Sequence, residues 1–197
     1  MPLLEVRELQ RPALGPLGFS VERGACVFVT GPSGAGKTLL LRALADLDPH
    51  DGEVLLDGEP QASVPPAQWR RRVAYLPAEP VWWGTRVDEL LPPGLTDADL
   101  DALGLDPALR ASAPERLSSG ESQRLALLRL LPLSPRLLLL DEPSANLDAD
   151  NTARLEALLT RRREADGLSL LWVSHDDAQR RRLADVTLRL AAGRLAP

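Results

Sequence analysis

The stretch Val27-Phe28-Val29-Thr30-Gly31-Pro32-Ser33-Gly34-Ala35-Gly36-Lys37-Thr38-Leu39 decides how this chain folds. Its apolar start lacks polar alternation, as in a strand covered on both faces, and a helical pattern runs from Leu39 to Leu47. Between them Gly31 to Thr38 matches G-x-x-x-x-G-K-[ST], a pattern whose glycines let backbone N–H groups turn inward around a β-phosphate. In such a loop Lys37 bridges the β- and γ-phosphates, the Thr38 hydroxyl holds Mg2+, and the helix opening at Leu39 points its positive end at the anion. A glycine turn alone is ordinary. Set between a buried strand and a helix, it reads as a phosphate site.

The same order of strand, loop and helix recurs. Leu137 to Leu140 is followed by a helical pattern from Ala149 to Arg163, and Leu170-Leu171-Trp172-Val173 by one from Asp176 to Ala184. That succession predicts a doubly wound α/β core with a mostly parallel sheet, whose loops gather at one rim. Gly31 to Thr38, Asp141-Glu142 and Ser174-His175 all fall in those loops, so they are expected to converge. Leu4 to Leu9 alternates like a half-exposed strand, and with Phe19-Ser20-Val21 and Val54-Leu55-Leu56 it predicts a small antiparallel β subdomain. Between Pro80 and Glu115 stand Pro80, Pro92, Pro93, Pro107 and Pro114 and short helical patterns such as the one Thr96 can cap. This is expected to be a helical insertion, residues 80–115, within a single domain whose nucleotide-binding core is 1–79 and 116–197.

Composition narrows the function. A chain of 197 residues, 44% hydrophobic and 26% charged, can bury one sizeable core. A net charge of -5 disfavours nucleic acid as a partner. The single cysteine, Cys26, rules out a disulfide framework within the chain and fits a reducing cytosol. No basic and apolar leader opens the sequence, and no run approaches the roughly 18 to 20 apolar residues that span a bilayer. Any membrane pore is therefore expected in another chain. The clusters Arg70 to Arg72, Arg161 to Arg163 and Arg180 to Arg182 read as solvated faces.

Asp141 ends a buried strand, where a rim carboxylate can hold Mg2+ through water, and Glu142 beside it can polarise an attacking water. Leu117-Ser118-Ser119-Gly120-Glu121 opens a further helix near Gly120, and its N-terminal dipole suits a γ-phosphate. Ser144-Ala145-Asn146-Leu147-Asp148 follows the acidic pair.

Taken together, these motifs resemble the nucleotide-binding subunit of the ATP-binding cassette (ABC) family. They stand in that family's order: phosphate loop, signature (Leu117 to Glu121), Walker B strand (Leu137 to Glu142), D-loop (Ser144 to Asp148) and switch histidine (His175). The resemblance covers nearly the whole chain. It implies a RecA-like P-loop NTPase fold, ATP and Mg2+ as ligands, and a homodimer, or a dimer with a related ATPase subunit. Two ATP molecules are then sandwiched head to tail, Ser118, Ser119, Gly120 and Glu121 of one copy closing over the phosphate loop of the other. It also implies a hydrogen bond from His175 to the γ-phosphate or the attacking water, an integral-membrane permease as partner, and a peripheral place on the cytoplasmic face of the membrane. The segment Leu171 to Asp176 and the short length are similar to ATPases of iron-type metal exporters.

Two departures stand out. Where the family carries a glutamine that touches Mg2+, this chain has Ala78, with Glu79 beside it; either Glu79 substitutes a hard carboxylate oxygen or the contact is absent. The aromatic residue that stacks on adenine is missing, and Arg11 either stacks its guanidinium there or faces solvent, so base selectivity is expected to be loose. Trp82-Trp83 either lines a groove for a permease helix or fills the core of the insertion. Besides a transporter motor, a soluble ABC ATPase and a nucleotide-sensing module of low turnover remain open.

Overall fold

The computed structural model describes residues 1–196. Strands β1 (Leu4–Arg11) and β2 (Leu14–Val21) form a hairpin, and β3 (Cys26–Thr30) leads through the glycine loop into α1 (Lys37–Leu44). After β4 (Asp51–Leu56) and β5 (Glu59–Pro60) come α2 (Pro66–Arg72), β6 (Val73–Leu76) and α3 (Asp97–Ala102). Then follow α4 (Ser119–Leu130), β7 (Leu137–Asp141), α5 (Ala149–Asp166), β8 (Ser169–Val173), α6 (Asp177–Leu183), β9 (Val186–Ala191) and β10 (Arg194–Ala196). The strands make two sheets, β2-β1-β4-β5 and β10-β9-β3-β8-β7-β6. The first is antiparallel; in the second β6, β7, β8, β3 and β9 run parallel and β10 antiparallel at one edge. Parallel strands send their following loops to one rim, so the loops after β3, β6, β7 and β8 meet there.

The uninterrupted apolar runs have a direct cause in this packing. Successive strand residues point to opposite faces, and here both faces are covered. Val27, Val29, Leu137, Leu139, Leu171 and Val173 join α1, Trp69 and the small sheet in one core. Cys26, Phe28, Leu138, Leu140, Leu170 and Trp172 join α4 and α5 in the other. Phe28 and Trp172 stack there with ring centroids 5.5 Å apart. Every residue of β7 and β8 is buried, which anchors the rim loops to a rigid base.

Three local findings refine the sequence reading. The segment 80–115 is helical in short pieces: α3 is its only α-helix, joined to 3-10 helices at Asp88–Leu90, Pro107–Ala111 and Pro114–Arg116. Its prolines lack an N–H and push the preceding residue out of helical geometry, although Thr96 does cap α3 in a capping box with Asp99. Helix α1 ends at Leu44 while its apolar pattern runs on to Leu47. Asp46 adopts a left-handed φ of 56°, and Leu47 N–H donates to the Arg42 carbonyl at 3.0 Å, a Schellman-type stop. The arginine clusters are only partly solvated. Arg72 pairs with Glu59 at 2.6 Å, Arg182 with Glu156 at 2.8 Å, and Arg163 donates to the Gly24 carbonyl at 3.0 Å.

Candidate functional site

The glycine loop leaves β3 through three residues at positive φ: Gly31 (147°), Gly34 (76°) and Gly36 (99°). At Gly31 a side chain is impossible, because a Cβ there would lie 2.0 Å from the Leu190 carbonyl oxygen of β9. The loop is thereby folded tightly enough for backbone N–H groups to face inward. Helix α1 starts at Lys37 without an acidic residue in its first turn, which leaves its positive end uncompensated. Lys37 is 7% exposed, and its Nζ donates to the Gly31 and Pro32 carbonyls at 2.9 and 3.1 Å. An ammonium has three donors, so one is left for an anion.

Across the rim, Asp141 ends β7 at 3% exposure. Its Oδ2 accepts from Thr38 Oγ1 at 2.8 Å and from the Tyr75 hydroxyl, on β6, at 3.1 Å. The Thr38 hydroxyl and the Asp141 carboxylate thus form a pair of hard oxygen donors of the kind Mg2+ takes. The next residue, Glu142, holds a left-handed φ of 49°, a conformation uncommon for a side-chain-bearing residue and concentrated at functional sites. This turns the chain sharply off the strand, with Glu142 N–H donating to the Val173 carbonyl at 3.0 Å. His175 Nε2 lies 3.3 Å from Glu142 Oε1. Burial pushes the Glu142 carboxyl above its ordinary value, and the neighbouring His175 and Lys37 act against that rise.

One cavity of about 320 Å3 gathers these groups: Ser33 to Leu39, Asp141, Glu142 and His175, together with Ala78 and Val173. Gly31 and Pro32 stand behind it and hold Lys37. The remaining candidates lie elsewhere. Ser118 caps α4, and its Oγ and backbone N–H donate to Glu121 Oε2 at 2.7 and 2.8 Å. Ser119 lines a separate cleft with Glu79, Trp82 and Ser122, while Ala78 borders both. Gly120, packed under the loop after β7, would bring a Cβ within 3.0 Å of the Asn146 carbonyl oxygen.

Arg11 does not simply face solvent. Its guanidinium pairs with Asp48 at 2.7 Å, where Arg42 also binds at 2.8 Å, and the two cations hold the Asp48 carboxyl well below the usual carboxylate range. The two tryptophans differ in exposure. Trp82 is packed, its Nε1 donating to Ser122 Oγ at 2.8 Å under the Arg129 guanidinium, 4.7 Å from the ring centroid. Trp83 is 73% exposed and Val81 63%.

Two residues of the site escaped the sequence reading. Tyr75 stands in none of the motifs, and its hydroxyl meets Asp141 because β6 and β7 are neighbours in register. Gln179, on α6, is fully buried. Its side chain exchanges hydrogen bonds with Ser144 at 3.1 and 3.3 Å and donates to Glu156 Oε1 at 2.9 Å. It ties the loop after Glu142 to the helix after His175. A polar residue four positions after the histidine was the sole signal.

This fold and rim define a phosphate-loop nucleotide-binding domain. A family model described as ABC transporter matches residues 14–145, and the chain belongs to that family. Protein STAR1 of Oryza sativa subsp. japonica is 39% identical, covering 98% of this chain and 61% of the rice protein. The probable iron export ATP-binding protein FetA of Escherichia coli strain K12 is 33% identical, covering 89% of this chain and 85% of that protein. A solved bacterial Atm1-family ABC exporter with ATP bound has a TM-score of 0.85 at 27% identity, over 100% of this chain and 38% of the exporter chain. The chain therefore spans about three fifths of the rice relative and a smaller part of the exporter.

Proposed function

We propose that this chain is the ATP-hydrolysing motor of an ABC membrane transporter and works as a dimer. The observation that carries the reading is the convergence of the phosphate loop, Asp141, Glu142 and His175 on one cavity from which Ser118 to Glu121 stand apart. A second copy would bring that turn over the nucleotide, with the α4 dipole and the N–H groups of Ser119 and Gly120 facing the γ-phosphate.

In this proposal the loop from Gly31 to Leu39 binds the phosphates, and Lys37 turns its ammonium toward the β- and γ-oxygens. Glu142 orients a water for attack on the γ-phosphorus, and His175 positions that water or the γ-phosphate. The bond to the β–γ bridging oxygen breaks, and ADP and phosphate leave. Mg2+, held by Thr38 and Asp141, would neutralise charge on the phosphate oxygens. At the family's glutamine position Ala78 lines the cavity without a side-chain oxygen, and Glu79 lines the neighbouring cleft. This supports a metal shell completed by water, with Glu79 replacing the glutamine only if dimer closure turns it inward. Most of the rate enhancement would be positional and electrostatic.

The cleft containing Trp82, with exposed Val81 and Trp83 at its edge, is proposed to receive a helix of an integral-membrane permease. In this proposal the chain lies on the cytoplasmic face of a membrane, with no nucleic acid as partner. Among the described residues no helix is long and apolar enough to cross a membrane. A metal ion of the iron-export kind is the cargo class supported by the similarity to FetA. Loose base selectivity is supported by the absence of an aromatic residue in the stretch Leu9 to Gly15, where the Arg11 guanidinium is held in an ion pair with Asp48.

Phosphate release by the purified chain, alone and with a candidate permease in vesicles, tests the motor reading. Stimulation by the permease is expected. Turnover indifferent to every membrane partner would favour a soluble ABC ATPase, and binding without turnover a nucleotide sensor. Glu142→Gln should bind ATP, lose about 10²- to 10⁴-fold in turnover and accumulate as an ATP-dependent dimer. A variant that stayed monomeric when loaded would overturn the sandwich.

A further inference from the structure

We propose that Tyr75 is a positioning residue for the metal side of the phosphate site, its hydroxyl holding the Asp141 carboxylate so that one oxygen is occupied and the other is kept for the cavity. This rests on the reading of Asp141 as a metal-holding residue. The geometry is simple. Tyr75 sits on β6, opposite Leu139 of β7, and its hydroxyl reaches Asp141 Oδ2 at 3.1 Å, the same oxygen that accepts from Thr38 at 2.8 Å.

The two donors are not equivalent. Thr38 begins a helix and belongs to the phosphate loop, and its hydroxyl oxygen is itself one of the hard donors facing the metal position. Tyr75 has no such second task. Its ring packs against the core between the sheets, so its hydroxyl is fixed by strand pairing and burial together. A carboxylate at a strand end can rotate about two bonds, and a buried donor on one oxygen removes most of that freedom. Outer partners of this kind orient ligands, and their loss costs about 10- to 100-fold in metal affinity or activity. Further along the same segment, Ala78 lines the cavity without a side-chain donor. On the β6 side, the Tyr75 hydroxyl is therefore the fixed donor that governs Asp141.

The test is a Mg2+ titration of the binding of a fluorescent ATP analogue by the full chain, with Mg2+-free binding measured in chelator. Tyr75→Phe should raise the Mg2+ concentration for half-maximal enhancement about tenfold and leave Mg2+-free affinity and the melting temperature unchanged. Tyr75→Leu, which also lacks the hydroxyl but packs differently, should give the same Mg2+ shift even where it lowers the melting temperature. In an Asp141→Asn background the shift should vanish, since the contact acts through the carboxylate. An unchanged Mg2+ midpoint in Tyr75→Phe, or an equal loss with and without the Asp141 carboxylate, overturns the proposal. A Mg2+ midpoint insensitive to Asp141→Asn itself would instead remove the reading of Asp141 on which it rests.

Discussion

The rim above β3, β7 and β8 and the segment from Ala78 to Trp83 meet only at Ala78, which borders both the rim cavity and the neighbouring cleft, and their chemistry is opposite. On the rim, polar groups are buried and partnered inside the chain: Lys37 on two carbonyls, Asp141 on two hydroxyls, Gln179 on Ser144 and Glu156. In the segment, apolar side chains stand in solvent, Val81 and Trp83 above all. A site organised in advance needs no ordering when its ligand arrives, which is how fixed dipoles act on a phosphate. Exposed aromatic side chains gain their free energy only when a partner covers them.

The sharpest way to break this contrast is to remove the rim cation. Lys37→Ala should cut turnover by about 10²- to 10³-fold and weaken nucleotide binding, read by phosphate release and by fluorescence titration. A variant that bound and hydrolysed ATP normally would show that the buried ammonium serves the loop alone. The clasp behind the rim comes next. Gln179→Leu leaves Ser144 without its side-chain partner and Glu156 with one donor fewer, so it should destabilise by about 1–3 kcal/mol in urea unfolding and lower turnover at unchanged affinity for ATP. An unaltered unfolding midpoint would mean that the network is dispensable.

A smaller effect carries a definite sign. Because the folded chain raises the Glu142 carboxyl above its ordinary value of 4.5, the folded state binds that proton more tightly than the unfolded chain. Its stabilising contribution is full in acid, below the ordinary value, and is lost as pH rises through the folded one. Glu142→Gln removes that penalty, so it should raise the melting temperature at neutral pH and leave it nearly unchanged in acid. The opposite dependence would show a carboxylate stabilised by His175 and Lys37 rather than strained by burial. The smallest change is expected in the exposed segment. Trp83→Ala should alter stability by less than about 0.5 kcal/mol and leave basal turnover intact, while lowering stimulation by a permease. A large loss of stability would place Trp83 in the core of the chain.

What was legible beforehand follows from how local each signal is. The phosphate loop declared itself because its glycines, lysine and threonine are consecutive and flanked by a buried strand and a helix. β7 and β8 declared themselves because both faces are covered, which forces unbroken apolar runs. The insertion was legible as helical but not as the short α and 3-10 pieces it forms, because prolines remove the backbone donors that would sustain longer helices. The ion pair of Arg11 was not legible because its partner, Asp48, lies far along the sequence, and nothing near Arg11 signals the pairing.

The sequence by itself determined the strand, loop and helix succession and the identity of the groups at the rim, since these depend on the order of neighbouring residues and their burial pattern. Tertiary structure alone decided that Tyr75 holds Asp141, that Glu142 turns left-handed to meet His175, and that Glu79 lines the neighbouring cleft while Ala78 borders both. Those outcomes depend on which strands lie side by side and where each backbone turns, and such contacts between distant residues leave no periodic mark on the chain.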